Sequence, residues 1–209
     1  THRQLQKTDS MLSSSLERLS SGLRINRAAD DSAGLAISQR LRSQVEGLKM
    51  ASQNAEQAKN MVQTAEGFLG EIHNMLGRMR ELAVQAASDT VTSSDRSSLH
   101  AEFSSLRSEI DRIAGAAEYN GMALLDGTFT SQKFQIGANG TTDNQIIISI
   151  AATDSATLGI DVSSITDLSS AVTAIGAIDN AINEVSESRS SLGTIQNRLA
   201  YTVASVDNA

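Results

Sequence analysis

Residues 32–88 read SAGLAISQRLRSQVEGLKMASQNAEQAKNMVQTAEGFLGEIHNMLGRMRELAVQAAS, and the spacing of their apolar residues decides the architecture. Leu41, Val45, Leu48, Ala51, Ala55, Ala58, Val62, Ala65, Leu69, Ile72, Leu76, Met79 and Ala83 follow one another at steps of three and four, with one slip around Leu48. A near-heptad seam of this kind marks an α-helix with a single apolar stripe. No proline interrupts it. A helix from about 32 to 88 is roughly 85 Å long at 1.5 Å per residue. Asp30, Asp31 and Ser32 precede it with side-chain oxygens suited to an N-cap. Such a rod does not stand alone. Ordering its backbone costs about 1–2 kcal/mol per residue, and the eight Leu, Ile, Val and Met of the stripe, at about 1.5–3 kcal/mol each on burial, recover too little. The seam needs partners.

The rest of the chain supplies them. Leu5, Leu12, Leu16 and Leu19 give a short first helix that stops at Ser20-Ser21-Gly22, where glycine suits the left-handed cap position. Leu23–Asp31 has no helical period and reads as an irregular connector. After a break at 88–94, Leu99, Phe103, Leu106, Ile110, Ile113 and Ala117 predict a helix over about 94–117. The short connection folds it back antiparallel on the long one. Leu168, Val172, Ile175, Ile178, Ile182, Val185, Leu192, Ile195, Leu199 and Val203 predict the last helix, over about 166–207. Between them the period changes: Lys133–Ile136 and Gln145–Ile150 read as a β-hairpin, with Asn139-Gly140 as its turn signal. The expected fold is mainly α, an elongated antiparallel bundle of long helices with a small β-hairpin lobe over about 120–165. Residues 1–31 form the end of an N-terminal helix and a connector; 32–209 form the core rod.

Composition agrees. Aromatic residues make up 3% of the 209, hydrophobic residues 40%, and tryptophan, proline and cysteine are absent. Packing bulk therefore comes from Leu, Ile, Val, Met and many alanines, which suits closely approaching helices better than a round core. The net charge of −7 makes nucleic acid a poor partner. The charge is uneven: residues 1–50 carry eight basic and five acidic side chains, the remainder nine and nineteen. A basic patch meeting an acidic one across a subunit contact is one reading, and ordinary solvated helix faces the other. No apolar run is long enough to span a membrane.

The blocks SSGLRINRAADDSAGLAIS at Ser20–Ser38, QTAEG at Gln63–Gly67, RMRELAVQ at Arg78–Gln85, EIDRI at Glu109–Ile113, NGMALLDG at Asn120–Gly127, FQIG at Phe134–Gly137 and LGTIQNRL at Leu192–Leu199 resemble the bacterial flagellins, in family order over about 200 residues. The resemblance implies a core without the family's terminal segments and large variable outer domains, only about 40 residues separating Gly127 from Asp167. Thr1 is not a natural start, and a chain trimmed of both ends is expected to be monomeric. The resemblance further implies self-assembly into the extracellular filament of the flagellum, with other flagellin subunits, an export chaperone and cap proteins as partners. It implies that a β lobe around Gly121–Ile150 touches the next subunit along. A hook–filament junction protein is the alternative within this architecture.

The resemblance also implies binding to the flagellin-sensing Toll-like receptor of vertebrate innate immunity, at Arg78, Leu82 and Glu102. Arg78 and Leu82 lie four apart on one helix face, off the seam, which predicts an arginine beside an exposed leucine. The competing expectation is that Leu82 packs against a neighbouring helix and the two charges are merely solvated.

An enzyme is not expected, nor any cofactor or metal. His2, His73 and His100 lie on separate segments without ligand spacing, and are expected at the surface; there is neither a phosphate-binding glycine loop nor a nucleophile elbow. A plain signalling coiled coil is disfavoured by the glycine-punctuated β-prone insert. Asn139-Gly140-Thr141 matches a glycosylation triplet, but reads better as a turn.

Overall fold

The computed structural model describes residues 2–208; the chain ends at 1 and 209, where the two expected segments begin and finish, lie outside the described residues. Helix α1 spans His2–Ser21, α2 Ser32–Ala86, α3 Ser93–Ala116 and α4 Leu168–Asp207. Strands β1 (Glu118–Tyr119) and β2 (Met122–Ala123) form one antiparallel pair, β3 (Gln132–Gln135) and β4 (Gln145–Ile148) another.

Each long helix starts on a side-chain cap. The Asp31 carboxylate accepts from Gly34 N at 2.9 Å at the head of α2. Neighbouring Asp30 instead accepts from the backbone of Asn26 and Arg27, pinning the connector. Thr92 and Asp95 form a reciprocal capping box on α3. Asp167 caps α4 and accepts from Ser170 Oγ and N; those bonds, the hydroxyl's first, hold its carboxyl below the usual range. At the foot of α1, Gly22 takes φ +67°, the left-handed conformation anticipated there.

The polar ties across α2 fix the direction of its partners. Arg80 pairs with Asp179 at 2.6 Å, Gln196 Nε2 donates to Glu66 at 2.7 Å, and Ser52 Oγ donates to Asp207 at 3.0 Å. Numbers on α2 fall as those on α4 rise, so the two are antiparallel along nearly the whole of α4. On the other side, Arg96 reaches back to the carbonyls of Ala86 and Ser88, and Arg78 meets Glu102, so α3 is antiparallel to α2 as well.

The core follows this geometry. From α2 it takes Ala51, Ala55, Ala58, Met61, Val62, Ala65, Leu69, Ile72, Leu76, Met79, Leu82, Ala83 and Ala86; from α3 Phe103, Ile110 and Ala114; from α4 Ile178, Val185, Leu192, Ile195 and Leu199, with Ala171, Ala174 and Ala181. Two expected seams change at their ends. Leu41 and Val45 are 55% and 64% exposed and Leu48 only half-buried, because α4 ends beside Ser52 and no other element covers the turns below. At the head of α4, Leu168 and Val172 stay exposed, and the small residues Ala171 and Ala174 turn inward in their place.

The lobe sits where α3 stops. Asn54 of α2 donates to the Gln135 carbonyl at 3.2 Å, and Gly47 lies against Ala138. The loop 136–144 between β3 and β4 carries a short 3₁₀ turn (Thr142–Asn144), so Asn139-Gly140 is part of a wide bend and not a tight hairpin turn. The tight turn is Asn120-Gly121, with φ +51° and +75°, closing β1 onto β2. A glycine at the second position is what that double left-handed geometry asks for. Below it, Ser155 donates from both N and Oγ to Asp111, and Arg107 holds the Asp161 carbonyl; α3 thereby anchors the loop that leads to α4.

Candidate interaction surfaces

The block Arg78–Gln85 places two arginines two residues apart on a helix, on opposite sides of α2. Arg80 turns to Asp179 on α4 and Arg78 to α3. Arg78 donates from Nε to Glu102 Oε1 at 2.9 Å and from Nη1 to Glu81 at 3.0 Å. Hydrogen bonding to Glu81, then to Glu102, raises its pKa further above an already high ordinary value. All three side chains remain about half exposed or more. The structure thus joins two of the expected recognition residues, Arg78 and Glu102, and adds Glu81, a carboxylate one turn along from Arg78 that spacing alone did not single out.

Leu82 contradicts the expectation that it is an exposed apolar anchor. It is 1% exposed and belongs to the core. The reason is that α2 is covered by α3 and α4 together, so its buried face is wider than one heptad stripe and takes in Leu82 next to Ala83. The competing expectation, packing against a neighbouring helix, is the one the structure bears out.

A second surface is apolar. No described residue of α1 is buried, and Leu5, Met11, Leu12, Leu16 and Leu19 are 56–81% exposed. Ile37, Leu41 and Val45 extend the exposure over the first turns of α2 at steps of four. Continuous apolar exposure on this scale is unusual for a chain that works alone. The connector between the two helices is nonetheless shaped: Arg27 pairs with Glu17 at 3.0 Å, Asn26 Nδ2 donates to Ser21 Oγ and the Glu17 carbonyl, and Arg18 reaches Asp30.

The third surface is the lobe. Gln135 Nε2 donates to the carbonyls of Gly137 and Asn139, both at 2.7 Å, while its Oε1 accepts from Gln145 at 3.1 Å. A Cβ on Gly137 would collide with the amide of Asn144. The FQIG block is therefore a folded clasp that presents the 137–140 bend against α2, with Ile147 and Met122 exposed on the lobe.

Chemistry is sparse elsewhere. His73 and His100 are half-buried, contrary to the surface placement expected of them, and the Nδ1 of each is buried without a hydrogen-bond partner. His100 stacks on Phe103 with centroids 6.3 Å apart. Among the described residues, no group of three or more His, Asp or Glu is placed to hold a metal, and no helix is long and apolar enough to cross a membrane.

Leu82 and Arg78 make opposite predictions. Leu82→Ala is expected to lower the urea-unfolding free energy by about 2–5 kcal/mol, whereas Arg78→Ala leaves the midpoint unchanged because its ion pairs are solvated. An unaltered midpoint for Leu82→Ala would contradict the burial described.

Comparison with known proteins sets these surfaces in a family. Residues 1–130 match the bacterial flagellin N-terminal helical region and residues 175–209 the bacterial flagellin C-terminal helical region. The chain is 44% identical over 194 residues to a flagellin of Halalkalibacterium halodurans, covering 93% of this chain and 71% of that protein. Its structure is similar to the crystal structure of Bacillus cereus flagellin, with TM-score 0.66 and 30% identity over 74% of this chain and 88% of the other. A flagellar hook-associated protein of Vibrio parahaemolyticus shares the fold, with TM-score 0.72 over 87% of this chain and 95% of that one, at 16% identity. Two family regions in the expected order and a relative of this identity leave one conclusion: the chain belongs to the bacterial flagellin family, the structural subunits of the flagellar filament.

Proposed function

We propose that this chain assembles into the filament through the uncovered apolar stripe along α1 and the first turns of α2. The single observation that carries the reading is that Leu5, Leu12, Leu16, Leu19, Ile37, Leu41 and Val45 are all exposed, on α1 and on the first turns of α2, which α3 and α4 leave uncovered. A solitary twenty-residue helix gains little from its own hydrogen bonds, so it depends on partners for its order. A contact between unlike faces of identical subunits does not close on itself and yields an open helical polymer. The division at residue 31 then has a use: the first segment joins a shared inner layer while the rod from 32 onward forms the layer around it. The lobe's exposed bend and strands meet the next subunit along. Export chaperone and cap proteins are further partners in this reading, and the filament lies outside the cell. A hook–filament junction role fits the same fold, but the RINRAADD block favours the filament.

The test is to express a full-length flagellin containing these 209 residues in a bacterium lacking its own flagellin. Filaments and swimming are expected to return; replacing Leu41 and Val45 by Asp should abolish both while the rod keeps its helical circular dichroism. Normal filaments from that double variant would sink the proposed stripe.

A second reading concerns the Toll-like receptor. Arg78 and Glu102 offer it a solvent-facing charged pair across α2 and α3, and Leu82, buried beneath, supports the ridge without touching the receptor. In a receptor-reporter assay, Arg78→Ala with Glu102→Ala is expected to weaken the response at least about tenfold, the loss of one or two charge-assisted contacts. Equal signals from the variant and the unaltered chain would remove the assignment.

A further inference from the structure

A cavity of about 520 Å³ opens between α4 and the loop that follows β4. Ile150, Leu158 and Leu192 give it an apolar floor. Glu184 and Glu187 stand on its rim, three residues apart on α4, both exposed and neither in an ion pair among the described residues. Thr153 also lines it; the residue is 2% exposed, and its buried Oγ1 has no hydrogen-bond partner. A buried hydroxyl left unpaired is costly, and a site that leaves one open is satisfied when a donor arrives.

These features together describe one kind of guest. Methylene groups suit the floor, and a fork of N–H donors suits two carboxylates and a lone hydroxyl oxygen. An arginine side chain has both parts. Lysine shares the stem but offers a single charged point instead of a fork.

The chain carries arginines that lack a use. Arg40 and Arg42 flank the uncovered Leu41 on the first turns of α2, exposed and in no ion pair among the described residues. They belong to the basic first fifty residues, and the cavity to the acidic remainder. Their own cavity is out of reach. The foot of α4 lies beside Ser52, and Glu187 is twenty residues further up that helix, roughly 30 Å away along the axis. An arginine side chain is far shorter, so the guest must come from a second copy.

We propose that, within the filament, the Glu184–Glu187–Thr153 cavity of one copy receives a guanidinium from the Arg40–Arg42 pair of a neighbouring copy. The inference rests on the filament reading and names one of its contacts. It sets the register between neighbours, because a charge pair of this kind is satisfied only at one stagger, and it weakens as salt is raised.

Charge reversal in a full-length flagellin that contains this chain tests it. One variant carries Glu184→Arg and Glu187→Arg, another Arg40→Glu and Arg42→Glu; all four positions are exposed, and circular dichroism confirms that each variant folds. Each alone is expected to lose filament yield from flagellin-deleted cells by roughly tenfold or more, since every such contact becomes like against like. Co-expression of the two, or all four changes in one chain, is expected to restore filaments, because opposite charges then meet again. If either reversal assembles normally, or if neither combination restores assembly, the contact is wrong. Were the unaltered full-length flagellin carrying this chain to build no filament in the same cells, the filament reading would fall with it, which separates the two failures.

Discussion

The structure depends on one constraint: a helix of 55 residues is held firmly only where other elements lie against it. From Ala51 to Ala86, α2 is covered by α4 on one side and by α3 or the lobe on another, and its inward residues are fully buried. From Ser32 to Glu46 the same helix has no such cover, and Ile37, Leu41 and Val45 face outward. Alanine explains how so few aromatic residues suffice. Ala51, Ala55, Ala58, Ala65, Ala83 and Ala86 on α2 and Ala171, Ala174 and Ala181 on α4 leave room for backbones to approach. Leu69, Ile72, Leu76, Met79, Ile178, Val185, Leu192 and Leu199 fill the space between. Each such large side chain contributes about 1.5–3 kcal/mol on burial.

The polar ties have a different part. Arg80–Asp179, Arg78–Glu102 and Arg112–Glu109 are all well exposed, and exposed pairs contribute little to stability. Arg112–Glu109 lies within α3, whereas Arg80–Asp179 and Arg78–Glu102 join α2 to α4 and α3 and fix the registers of helices whose alanine-rich faces slide past one another easily. Glu66 serves twice, accepting from Gln196 and lying 3.8 Å from Arg189. The lobe is fixed more firmly, by the Gln135 network and by the two bonds from Ser155 to Asp111. That firmness suits the neighbour contact proposed for the lobe.

Most of the helical architecture was legible in the sequence because it rests on period and punctuation. Asp31, Thr92 and Gly22 each occupy the sort of position their chemistry predicts. Periodicity alone did not say where cover would end, so Leu41 and Val45 looked as buried as Leu69; that depends on where α4 stops, a tertiary fact. Nor did it show the width of the buried face, which is why Leu82 looked free. Two Asn-Gly pairs gave the same local signal, but only Asn120-Gly121 sits between strands short and close enough to need a two-residue turn. The proposed receptor surface was half legible: the family resemblance pointed to Arg78 and Glu102, whereas the pairing of Arg78 with Glu81 emerges only from side-chain geometry. The cavity at Thr153 had no sequence signature, since it is made by a loop lying beside a helix far from it in the chain.

Amide hydrogen exchange along α2 tests the central claim most directly. In the unassembled chain, amides from Ala51 to Ala86 should exchange only through global unfolding, while those from about residue 36 to Met50 exchange many-fold faster through local opening. Equal protection along the whole of α2 would contradict the account, because it would mean that the lower turns are held without any helix beside them.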